Sequence, residues 1–311
     1  YLGSNIYNNK ITPSIISSLN YCPSPNFLDS FIKYEKKKIN IKNYSLNKIW
    51  NNKNLKEKHY KNLNSFFWLF SLDLKSSKKD TQNLILEWIN NNHRYNSKSW
   101  EFDIVAKRVI AWTSNSRLTY EDSDADYKNN FNEIIKKQTN HLINEITRSK
   151  WVDDKMIGCA AIILTGLSYQ DKDGHLKTGL NLLKKLAKSS FDNDGFPKSR
   201  SIRQLCFYLK YFILIREWLK ESQSEIPDFI NENIYYLGQA YAFTWQKNKV
   251  DLLFNGNYET NNSDFDHYLK KFGYTFKSQI NELGGYANLN NKKNSLIMDI
   301  GSSPDKKFSS N

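Results

Sequence analysis

Trp100-Glu-Phe-Asp-Ile-Val-Ala-Lys-Arg-Val-Ile-Ala-Trp112 is the stretch on which the fold turns. Phe102, Val105, Ala106, Val109, Ile110 and Thr113 recur at three- and four-residue spacing, so one helix presents them together on one face. Arg108 stands four residues before Trp112 and shares its face. The same spacing returns on both sides. Leu84, Ile85, Trp88 and Ile89 come before it. After it come Tyr127, Phe131, Ile134, Ile135, Gln138 and Leu142, then Ile157, Ala160, Ala161, Leu164 and Leu167. Leu176 to Leu186, Leu205 to Leu219 and Phe229 to Trp245 continue the series. Asp80, Asp126 and Pro227-Asp228 read as N-terminal signals of three of these helices. Short polar connections between helices of about 15 residues favour antiparallel neighbours. No repeat of fixed length is visible, which argues against a regular helical solenoid.

Further outward the pattern breaks. Residues 1–60 read as an irregular segment, with Pro13, Pro23 and Pro25 in a polar, Lys- and Asn-rich context. Residues 61–248 read as the helical domain. Past Trp245 the period shortens: Leu253-Phe-Asn-Gly256 ends in a turn, Gly284-Gly285 precedes a run from Tyr286 to Leu289, and Asn294 to Ile300 reads as a strand. Residues 249–311 are therefore expected to begin a β-domain. So few strands make a poor core alone, which predicts that this domain continues past the end of the chain given.

The 311 residues carry 45 Lys and Arg against 32 Asp and Glu, a formal charge of +13. A basic surface suits nucleic acid, an anionic membrane face or an acidic polysaccharide. Abundant Lys and Asn also fit simple coding bias. Lys36-Lys37-Lys38, Lys78-Lys79, Lys136-Lys137 and Lys184-Lys185 read as exposed faces, and no nucleic-acid-binding motif accompanies them. No run reaches the roughly 18 apolar residues of a membrane span. The sequence given starts at Tyr1 with no charged-then-apolar leader, so a targeting signal is either absent or lies outside it, and the compartment is left open between periplasm, cell envelope and elsewhere. Cys159 and Cys206 read as small buried residues. His141 reads as a hydrogen-bonded structural residue, and His59, His93, His175 and His267 as residues of polar, loop-like surroundings. No metal-binding spacing is present, so neither metal nor cofactor is expected.

Several segments, in order, resemble the heparinase II/III-like polysaccharide lyases. They are Phe66-Phe-Trp-Leu-Phe70, the Trp88 and Trp100 to Trp112 helices, Asp194-Gly195 with Ser199-Arg200, and the Leu253 to Gly256 turn. The resemblance implies a mainly α fold: an incomplete (α/α) toroid of antiparallel helix pairs, then the first strands of a β-sandwich. It also implies β-elimination on a uronate-containing, acidic glycan. That reaction removes a proton α to a carboxylate, so a site must neutralise the carboxylate, supply a base and protonate the leaving oxygen.

In the family an Asn-His pair opens one toroid helix, a Tyr follows the Asp-Gly turn, and a His comes from the β-domain. Here Asp154-Lys155 and Arg203-Gln204 stand at the first two places. A buried Lys155 can serve as base and Arg203 can clamp a carboxylate. The bland alternative is that both are solvated or paired with Asp153, Asp154 or Asp192. Trp68, Trp100, Trp112, Arg108, Arg200 and Asn255 are the expected substrate contacts, with indole faces against sugar rings and basic groups against acidic ones. For the tryptophans the competing reading is simple core. The rival function on the same fold is a non-catalytic glycan-binding or envelope-polysaccharide assembly protein.

Overall fold

A computed structural model describes residues 1–28, 50, 56–72, 77–170, 174–246, 252, 254–255, 262–290, 295–305 and 308. Contacts divide the chain into two compact units, with the division between Asn181 and Leu182. The first unit contains α1 (Asn5–Ile11), α2 (Glu57–Ser65), α3 (Lys78–Asn92), α4 (Phe102–Ser114), α5 (Ser116–Thr119), α6 (Ala125–Glu145) and α7 (Val152–Ser168). The division falls inside α8 (His175–Ser190). The second unit holds α9 (Ile202–Glu221), α10 (Asp228–Tyr241) and α11 (Ser263–Lys271). Its strands are β1 (Glu282–Leu283), β2 (Tyr286–Asn290) and β3 (Ser295–Asp299).

The segment expected to be irregular opens with a helix. Ser4 caps α1 by accepting from the Tyr7 amide, and α1 packs on α6. Two cap assignments also move by a few residues. Ser77 caps α3 and Asp124 caps α6, because each leaves an oxygen three residues before an orphan amide, at Asp80 and Tyr127.

α4 is the centre of the first unit and packs on α2, α6 and α7. The sequence predicts one buried stripe. Instead Ile104–Ala106 and Arg108–Ser114 are all buried, as is the whole of α7 from Met156 to Ser168. Helices covered on every side can be apolar all round, and α7 nearly is. Cys159 and Cys206 are buried as expected, and Cys22 is exposed.

Glycine sets how near α7 and α8 come. A methyl group at Gly166 would lie 2.3 Å from the Leu176 amide nitrogen, and one at Gly179 would lie 2.7 Å from Ile163. Backbone cannot step aside as a side chain can. Gly166→Ala is therefore expected to destabilise by about 2 kcal/mol, although alanine gains about 1 kcal/mol of helix propensity. A thermal midpoint equal to or above that of the native protein would contradict this.

In the second unit α9 packs on α10, and the strands form an antiparallel sheet in the order β1-β2-β3. Gly284 and Gly285, at φ +60° and +79°, make the β1–β2 turn. Tyr286 pairs with Asp299, Ala287 with Met298 and Leu289 with Leu296. Leu289, Leu296 and Met298 share one face and are exposed there.

Candidate functional site

The first turn of α7 gathers unsatisfied chemistry. Trp151 is its N-cap and offers no side-chain hydrogen bond, so the first amides of the helix have no capping oxygen. The Trp151 indole is 49% exposed, with the Lys150 ammonium 4.6 Å from its ring centroid. Asp153, Asp154 and Lys155 follow, half-buried. The start of α4 lies against this turn because Gly158 leaves room for Phe102, whose ring tip lies 2.6 Å from where a Cβ would stand.

That approach controls the Asp154 carboxyl. Burial, then the charge of Asp103, pushes it up to about 6, with Lys107 opposing. Lys107 is itself committed to Asp103 at 2.7 Å. The lysine charge that opposes this shift is that of Lys107, not Lys155, so of the alternatives given for Lys155 a pair with Asp154 is not formed. Asp154 is thus a carboxyl that gains or loses its proton near neutrality, beside the Lys155 side chain.

The aromatic and basic residues predicted to line a groove have other work. Trp100, Arg108 and Trp112 are buried in the core. The Trp100 indole N–H donates to Asn92 O at 2.9 Å. Trp112 packs edge-on to Phe66 and Trp88. Arg108 donates to Asn64 O, Ser99 O and Gln138 Oε1 at 2.7, 3.0 and 3.1 Å, and its guanidinium lies 3.9 Å from the Trp88 ring centroid. Burial pushes its ionisation well below the usual guanidinium range. These three residues are therefore removed from the substrate contacts: helical spacing alone does not separate a groove face from a helix enclosed on all sides. Trp68 is half-buried, stacks on Phe66 and donates to Leu63 O at 3.1 Å.

In the second unit Arg200 and Asn255 do meet, but around protein groups. Arg200 donates to the carbonyls of Gly284, Ser302 and Gly285 at 3.1, 2.8 and 2.8 Å and to the Asp299 carboxylate. Asn255 donates to Tyr286 Oη at 2.5 Å and to Asp299 at 3.2 Å, and Tyr286 Oη donates to Arg200 O. Desolvation alone would raise the Asp299 carboxyl; hydrogen bonding to Arg200 and its charge outweigh it and hold the carboxyl low. With four of its five N–H donors given to protein acceptors, the Arg200 fork clasps the sheet to the turn before α9. Asp192 folds the preceding turn, accepting from the Asp194 and Phe196 amides, and Gly195 at φ +75° lets Tyr236 pack against it. Arg203 lies half-buried in the first turn of α9.

Trp151, Tyr286 and Asp299 were missed by sequence reasoning. Trp151 had a legible signal, an aromatic directly before an acidic first turn; the other two had none. Two lysines and three histidines also need correcting: His59 and His267, expected in loops, lie exposed on α2 and α11. Lys136 and Lys137 are buried, Lys136 donating to Ile15 O at 2.9 Å. His175 is buried on α8 against Asn140 Oδ1 at 3.0 Å. Lys36, Lys37, Lys38, Leu253 and Gly256 lie outside the described residues. Among the described residues no cluster of three His, Cys, Asp or Glu could hold a metal ion, and no helix is long and apolar enough to cross a membrane.

No protein-family model and no curated protein matches the sequence. Among solved structures, a crystal structure of heparinase III matches 95% of this chain with a TM-score of 0.61 and 14% sequence identity. The chain spans 56% of that heparinase III chain, and the likeness is one of fold: mainly helical, with a small antiparallel sheet at the C-terminal side.

Proposed function

We propose that this chain belongs to a polysaccharide lyase that cleaves an acidic, uronate-containing glycan by β-elimination. In this reading its helices form an incomplete (α/α) toroid over residues 61–248, and residues 249–311 begin a β-sandwich. The observation that carries the reading is the fold likeness to heparinase III over nearly the whole chain. The first turn of α7 supplies the chemistry. A protonated Asp154 donates a hydrogen bond to the substrate carboxylate, as an asparagine amide would, and draws charge off it as the adjacent carbon is deprotonated. Lys155, half-buried, acts as its neutral amine: it takes the α-proton and, as the ammonium so formed, returns it to the leaving glycosidic oxygen, while Trp151 offers an exposed face to the sugar.

Lys155→Ala is expected to lower kcat/KM at least 100-fold with folding intact, by the usual worth of a positioned base. Asp154 separates two roles. Because its carboxyl titrates near 6, activity that needs the protonated form falls as pH rises through 6. Asp154→Asn should retain turnover and lose that decline, and Asp154→Ala should lose turnover at every pH. The readout is the absorbance of the unsaturated uronate released from a panel of acidic polymers. Equal pH profiles for Asp154→Asn and the native protein would refute the role given to Asp154.

The rival reading, a glycan-binding or envelope-polysaccharide assembly protein, is favoured by one observation: Arg108 and Arg200 both direct their guanidinium groups to protein acceptors. Measurable binding of a uronate polymer without any unsaturated product would decide for it.

A further inference from the structure

Residues 1–21 lie on the first unit through a row of polar ties. Tyr7 Oη is 2.7 Å from His141 Nδ1 on α6, Asn140 donates to Ile11 O at 2.9 Å, and Lys136 donates to Ile15 O at 2.9 Å. Further along, the Asn20 and Tyr21 amides both donate to Ser168 O, at 2.8 and 3.3 Å. Tyr7 and Ile11 are the buried residues of α1, while Ile6, Ile15 and Ile16 face solvent. A helix of seven residues is well short of the ~12–15 at which an isolated helix becomes even marginal in water. What holds α1 is therefore its side toward α6.

One of these ties is titratable. The His141 ring is enclosed by Tyr7, Tyr95 and Trp100, at centroid distances of 6.0, 5.5 and 5.4 Å. A neutral imidazole donates from one nitrogen and accepts at the other, so His141 accepts the Tyr7 hydroxyl at Nδ1 and donates at the Trp100 backbone. A second proton makes Nδ1 a donor as well, and the Tyr7 hydroxyl must turn its own proton elsewhere in a buried place. The charges on the elements packed around the ring mostly oppose that proton. Arg108 of α4, Arg94 of the loop before Trp100 and Lys137, one turn earlier on α6, repel an imidazolium. Lys10 of α1 is exposed. Glu145, one turn later on α6, attracts it but is shared with Arg148 at 2.9 Å, and Glu101 is paired with Lys61 at 2.8 Å. Burial is the largest effect and holds the enclosed ring at about 4, against 6.5 in water.

We propose that residues 1–16 form an acid-released strap: protonation of His141 unlatches α1 from α6, and the segment swings out about the ties to Ser168 while α4, α6 and α7 stay folded. Opening gives the ring access to water, so the open form binds the proton that the closed form refuses. The latch is at full strength above pH 6.5, and the open fraction rises as pH falls from there toward 4. The strap requires neither a glycan nor elimination, so it stands apart from the activity proposed above.

Hydrogen exchange of the whole chain at pH 7.5 and 5.0, corrected for the intrinsic rate at each pH, tests this. The α1 amides, such as those of Asn8 and Thr12, should lose protection about tenfold or more at pH 5.0, while those of α4 and α7 keep theirs. His141→Gln should give α1 the same protection at both pH values. Tyr7→Phe removes the hydroxyl and keeps the ring, so it should lower α1 protection already at pH 7.5. Unchanged α1 protection in the native chain, or α1 losing protection only in step with α4 and α7, would overturn the proposal. So would a His141→Gln chain that keeps the native pH dependence, or a Tyr7→Phe chain as protected at pH 7.5 as the native one.

Discussion

Arg108→Ala is expected to lower the free energy of unfolding by about 4 kcal/mol, the largest effect of any single truncation proposed. Two terms oppose each other. Removing a buried cation relieves its desolvation cost, which favours the variant. Against this, Asn64 O, Ser99 O and Gln138 Oε1 lose their donor at once, the face of Trp88 loses its cation, and a void opens in the core. Three orphaned acceptors at about 1–3 kcal/mol each outweigh the relief. Arg108→Lys keeps the charge but not the fork, so it should fall between alanine and the native protein. Urea unfolding of the three proteins checks the order. An alanine variant as stable as the native chain would mean that the desolvation term dominates.

Acidification should remove about 3 kcal/mol through His141 alone. Its ring is buried, with Nδ1 2.7 Å from the Tyr7 hydroxyl. Burial lowers its pKa from 6.5 to about 4, more than a hydrogen bond at the Trp100 backbone raises it, and the Arg108 charge lowers it further. The sign follows from where protons bind. Below pH 6.5 the unfolded chain takes up a proton that the folded ring refuses until about pH 4, so stability declines across that window as pH falls. The full contribution is present above 6.5. His141→Gln should be less stable at pH 7.5, having lost its ring packing, yet should lack this decline. Parallel slopes for the two proteins between pH 6.5 and 4 would show that another group is responsible.

Much of the helical architecture could be read from the spacing of Val105, Val109 and Trp112 and its counterparts, since periodicity reports burial. It could not report how many sides of a helix are covered. For that reason the spacing alone predicts a stripe on α4 and α7 and a groove for Trp100, Arg108 and Trp112, where the structure encloses them. The strands were legible from Gly284-Gly285 and the run after it, because a turn that needs positive φ leaves a residue signature. Asp154 is the opposite case. Its raised pKa depends on Asp103, fifty-one residues away in the chain, and on the gap left by Gly158. No local pattern records such a distance. The position of Lys155 at the start of a helix was legible; that Lys107, not Lys155, stands against Asp154 was not.

The half-exposed indole of Trp151 has a practical consequence. Trp88, Trp100, Trp112 and Trp218 are all enclosed, whereas Trp151 meets solvent beside a lysine that attracts anions. With the half-buried Trp50 and Trp68 replaced by Phe, iodide should therefore quench Trp151 ahead of the enclosed indoles, and an oligosaccharide seated on the first turn of α7 should shield it. The chain carries its own optical reporter at the place where chemistry is proposed, so occupancy can be followed without a label and without turnover.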